Sequence, residues 1–86
     1  MSLDEYRAAI NAADRVLLAA VNQRIDVVRA LHAHKKETGT PLRDPAREES
    51  LVKELQAENE GPLSNDGVAD LFHFVLALTR KEIHGE

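Results

Sequence analysis

The chain has 86 residues, no cysteine, three aromatic side chains and a formal net charge of −4. That length bounds it to one domain over residues 1–86, and the missing cysteines exclude disulfides and thiolate metal sites. With no lysine–arginine run, no basic–aromatic interleaving and no apolar stretch long enough to span a bilayer, nucleic-acid and membrane partners are not expected.

From Leu3 to about Lys36, apolar residues recur at steps of three and four: Leu3, Tyr6, Ile10, Ala13, Leu17, Ala20, Val27 and Leu31. This is the period of an amphipathic helix, and no Pro or Gly interrupts it before Gly39. Ser2 and Glu5 have the spacing of a capping box at its start. A helix of this length spans roughly 50 Å, too long for a compact monomer of this size, so it is expected to pair with a copy of itself. The acidic segment Met1–Glu5 carries no signal-peptide pattern, and a cytoplasmic location is the expectation.

Thr38-Gly39-Thr40-Pro41 should end the first helix, with Gly39 as its C-terminal stop. Asp44 followed by Pro45 reads as an N-cap and first-turn proline. The second helix then runs to about Asn59 on a stripe of Leu51, Val52 and Leu55. Gly61-Pro62 breaks the chain again, and Ser64 caps a third helix. Val68, Leu71, Phe72, Val75, Leu76, Leu78 and Thr79 form its buried face, and Gly85-Glu86 a frayed end. The fold class is therefore all-α: three helices, the first long, in an intertwined homodimeric bundle.

One cation interrupts the apolar series of the first helix. Arg24 occupies a stripe position, and Lys35 lies eleven residues, close to three turns, further along the same face. An arginine there either snorkels its head into water or forks onto a carboxylate. Arg47 and Glu48, at the head of the second helix, are placed to join the same pocket or to form a solvated helix face. Arg7 precedes Arg24 by seventeen residues, roughly 25 Å along the axis, so it serves a pocket of the partner chain or pairs locally with Asp4 or Asp14. Four cations and one carboxylate around an apolar bundle describe a receptor for a small, multiply anionic molecule. The histidines do not point to a metal: His32 and His34 diverge on a helix, whereas a helical metal pair is spaced by three or four.

Arg7, Asp14, Arg24 in Asn22-Gln23-Arg24, Lys35, the run Thr40-Pro41-Leu42-Arg43-Asp44-Pro45-Ala46-Arg47-Glu48, and Leu71-Phe72 followed by Thr79 occur in a specific order and spacing. In these residues, over nearly its whole length, the chain resembles the all-helical chorismate mutases of the AroQ type. The resemblance implies a cofactor-free cytoplasmic isomerase that rearranges chorismate to prephenate, in sites shared between two chains of a homodimer. It implies that Arg24 and the partner's Arg7 bind the substrate carboxylates, and that Lys35 contacts the ether oxygen and a carboxylate. Glu48, with the backbone at Asp44, would hold the ring hydroxyl; Arg47 would add positive potential and Thr79 would assist a carboxylate. The family usually has Gln or Glu four residues beyond the Ser/Thr of the third helix, facing the ether oxygen. Here Ile83 stands there, and Glu82 lies about 100° round the helix. The alternatives are an isochorismate pyruvate-lyase on the same fold and a non-catalytic helical dimer or regulatory module. Glu48 and the Arg43-Asp44 loop favour the mutase. Recruitment by a larger, activating partner enzyme is left open.

Overall fold

The computed structural model describes residues 1–38 and 44–84, and of residues 35–38 and 84 the backbone alone. The expected stop at Gly39, the Thr40–Arg43 segment and the frayed Gly85-Glu86 end lie outside the described residues. Three helices follow one another: α1 (Leu3–Thr38), α2 (Pro45–Glu58) and α3 (Asn65–His84).

Local chemistry sets each start. The Ser2 hydroxyl accepts from the Glu5 amide at 3.2 Å, and the Ser2 amide donates back to the Glu5 carboxylate at 3.3 Å, closing the capping box. Asp44 caps α2 through its carboxylate, which accepts from the Arg47 amide at 3.0 Å, and Pro45 occupies the first turn. The Ser64 hydroxyl accepts from the Gly67 amide at 3.0 Å, and the Ser64 carbonyl from the Val68 amide at 2.9 Å.

The turn between α2 and α3 is organised by Asn59. Its amide donates to the Leu55 carbonyl at 3.0 Å, its side-chain nitrogen donates to the Leu63 carbonyl, and its side-chain oxygen accepts from the Gly61 amide. Gly61 sits at φ +82°, in the left-handed region that a Cβ disfavours, which is why glycine serves here. The Gly61–Pro62 peptide is cis.

α3 packs against both other helices. Val52 of α2 and Val68, Val75 and Leu76 of α3 form the buried apolar core, with Thr79 as a buried polar residue beside them. Leu51, Leu55, Phe72 and Leu78 are half-buried, whereas Leu71, expected on the inner face of α3, is exposed. On α1 the half-buried positions are Val21, Arg24, Ile25, Val28 and His32. These occupy a face rotated from the long stripe read in the sequence. The stripe itself stays uncovered within the chain: Tyr6, Ile10 and Leu17 are each more than half exposed, and every residue of the first five turns faces solvent.

The consequence is an extended molecule. Its longest dimension is 55 Å and its radius of gyration 16.0 Å, against about 12 Å for a compact chain of this length. Its accessible surface is 6751 Å², against about 5,000 Å² for a typical monomer of its 9.5 kDa mass.

Candidate active site

Arg24, halfway along α1, donates from Nη1 to the hydroxyl of Thr79 on α3 at 2.8 Å. Thr79 in turn donates to the Val75 carbonyl at 2.7 Å, one turn back on its own helix. The hydroxyl is buried and accepts from one group while donating to another, so it fixes the direction of the guanidinium. Burial pulls the Arg24 guanidinium below its usual range; the nearby carboxylate of Glu48 opposes that shift and the nearby Arg47 adds to it. Arg24 is thus a part-buried cation with a second cation, Arg47, in its neighbourhood.

Glu48 and Arg47 reach this region because Asp44 and Pro45 start α2 immediately before them. Both lie in the first helical turn, where amide N–H groups add positive potential. The Asp44 carbonyl accepts from the Glu48 amide at 3.1 Å, as the first bond of the helix, and its carboxylate is used in the cap. Asp44 is thus a structural anchor for Arg47 and Glu48 at the head of the helix.

One member of the site escaped the sequence reading. Arg80 donates from Nη1 to both carboxylate oxygens of Glu48, at 3.0 and 3.2 Å. The pair is about three-quarters buried, with side-chain exposures of 29% and 27%. The signal was available: Arg80 lies four residues beyond Leu76 and three before Ile83, so it is a cation on the inner stripe of α3. That is the argument applied to Arg24 on α1.

The other expected residues divide. Ile83 is half-buried one turn beyond Thr79, and Glu82 is exposed beside it. Lys35 lies on α1, but its side chain is outside the described residues, as is all of Arg43. Arg7 is exposed near the start of α1, seventeen residues or roughly 25 Å from Arg24, so the chain by itself does not bring it to this site. Among the described residues, no group of three or more His, Cys, Asp or Glu is arranged to hold a metal ion, and no helix is long and apolar enough to cross a membrane.

Fold and site together define an all-helical protein that gathers arginines from three helices around one carboxylate. The chain belongs to the chorismate mutase type II family, whose pattern matches residues 6–83. Over 76 residues, 84% of the chain, it is 37% identical to the bifunctional chorismate mutase/prephenate dehydratase of Neisseria gonorrhoeae, and it spans only 19% of that longer protein. Among solved structures it resembles two forms of chorismate mutase from Thermus thermophilus. Form I has a TM-score of 0.87 and form II one of 0.86, each at 27% identity over 90% of this chain. The match covers 96% of the form I chain and 88% of the form II chain.

Proposed function

We propose that the chain is a cytoplasmic, homodimeric chorismate mutase that rearranges chorismate to prephenate, with both subunits completing each site. The observation that carries this reading is the desolvated Arg24 guanidinium, aimed by Thr79 and flanked by Arg47 and Glu48.

The chemistry required is modest in parts and demanding in geometry. A pericyclic rearrangement breaks an ether C–O bond while a C–C bond forms within one molecule. It requires no nucleophile, metal or redox cofactor. The protein holds the compact conformer and stabilises charge as it develops on the ether oxygen. In this reading Arg24 binds one substrate carboxylate and Arg7 of the partner subunit the other. Lys35 approaches the ether oxygen and a carboxylate. Glu48 accepts from the ring hydroxyl, with the Asp44 backbone beside it, and Arg47 adds positive potential. Thr79 acts mainly by orienting Arg24, to which its hydroxyl is bonded. Ile83 supplies shape and no hydrogen bond, leaving Lys35 as the donor toward the ether oxygen.

The dimer is supported by the uncovered stripe of α1. The chain exposes about 1,700 Å² more than a monomer of its mass, so two chains would bury roughly twice that, within the range of obligate homodimers. An antiparallel pairing of α1 carries Arg7 of one chain toward Arg24 of the other.

The test is a spectrophotometric assay of the purified chain with chorismate and, separately, isochorismate. Loss of chorismate with formation of prephenate is the expected outcome. Pyruvate released from isochorismate alone identifies the lyase, and inactivity on both identifies a non-catalytic module.

A further inference from the structure

Thr79 and Arg80 are consecutive on α3, so their side chains leave the helix about 100° apart. Thr79 takes the α1 side and holds Arg24; Arg80 takes the α2 side and holds Glu48. We propose that Arg80 is a positioning residue of the active site, which fixes the Glu48 carboxylate and neutralises it, so that Glu48 can accept the substrate hydroxyl without repelling the substrate's own carboxylates. This inference rests on the mutase reading above.

The argument is one of charge and geometry. Glu48 is a carboxylate in a site built for a dianion, so by itself it opposes the ligand it is meant to orient. Carboxylates a few ångströms apart in a partly dry pocket repel strongly. Arg80 sits 3.0 and 3.2 Å from the two oxygens of Glu48 through one nitrogen, which cancels that charge locally and limits rotation of the carboxylate. A carboxylate has about four lone-pair directions, so it can accept from Arg80 and from a hydroxyl together. Arg24, near the same point, is then available for a ligand carboxylate, and Arg47 keeps its positive potential for the ligand. The pair joins α2 to α3 across 32 residues of sequence and also fixes the head of α2 in place.

A hydroxyl remote from the breaking bond is bound equally in the ground and transition states, so Arg80 should act on KM more than on kcat. A hydrogen bond to a charged group is worth about 1.5–3 kcal/mol, so Arg80→Ala should raise KM for chorismate roughly 10-fold to 100-fold. Its kcat should change little, and Arg80→Lys should recover most of the loss. In a Glu48→Gln background, Arg80→Ala should add little.

The measurement is steady-state kinetics with chorismate for the wild-type chain, the two Arg80 variants, Glu48→Gln and the Glu48→Gln/Arg80→Ala double variant, with circular dichroism as the check of folding. An active wild type with unchanged KM in folded Arg80→Ala overturns the inference and leaves the mutase reading standing. The inference also fails if the KM effect of Arg80→Ala persists in full without Glu48, because Arg80 then acts on substrate directly. Should Arg80→Ala fail to fold, Arg80→Lys and Arg80→Gln replace it. A lysine variant no better than the glutamine variant would also overturn the inference. A wild type inert toward chorismate overturns the mutase reading and this inference with it.

Discussion

At the scale of single residues, two arginines of the candidate site have their directions set by neighbours. Arg24 has a buried hydroxyl as its guide and Arg80 a carboxylate. Arg24→Ala should lower kcat/KM by at least about 10²–10³-fold with the helical circular-dichroism signal retained, because it removes a preorganised donor held by Thr79. Thr79→Val keeps the volume and removes only the guide, and steady-state kinetics should show a smaller loss, of roughly 10-fold. A Thr79→Val enzyme as impaired as Arg24→Ala would mean that Thr79 does more than orient. On the mutase reading, Ile83 stands where a hydrogen-bonding side chain toward the ether oxygen is expected. It is half-buried on the inner stripe while Glu82 points to solvent. Ile83→Gln, which adds a donor toward the ether oxygen, should therefore raise kcat, whereas Glu82→Ala should change it little. A collapse of activity in Glu82→Ala would reverse that assignment.

At the scale of elements, α2 is a short helix whose first turn carries two residues of the proposed site, Arg47 and Glu48. Its start depends on Asp44, which satisfies the Arg47 amide. Asp44→Ala should cost about 1 kcal/mol of stability, measured by urea denaturation. It should also lower kcat/KM, because fraying the first turn moves Arg47 and Glu48 together. Asp44→Asn, which keeps the cap, should retain most of both. Equal kinetic losses in the two variants would show that the carboxylate has a role beyond capping. α3 is the element that makes the site possible: packed on both partners, it turns two adjacent side chains toward two different helices.

At the scale of the whole molecule, the buried core among the described residues is four aliphatic side chains, and the first half of α1 has no cover within the chain. On the dimer reading proposed above, a second chain supplies the cover that so small a core lacks. Ile10→Glu, in the middle of the uncovered stripe, should split the dimer or unfold the chain, as sedimentation equilibrium and circular dichroism would report. A folded, fully active monomer would defeat the dimer reading. Mixing Arg7→Ala and Arg24→Ala chains, each inactive alone, should restore one working site per mixed dimer after subunit exchange. No recovery would place Arg7 outside the site.

The sequence by itself determined the helices, since periodicity, Ser2, Asp44-Pro45, Ser64 and Gly61 act through neighbours a few residues away. It also marked Arg24, because a cation in an apolar stripe is anomalous without any knowledge of its contacts, and the order of the site residues marked the family. Tertiary structure decided what local patterns could not. It chose a rotated face of α1 for packing on α3, because an amphipathic stripe states which residues avoid water and not which partner covers them. It left Leu71 exposed, and it turned Arg80 onto Glu48 across a separation of 32 residues. A pairing between distant charges depends on the angle at which two helices pack, and that angle is set by all their side chains together.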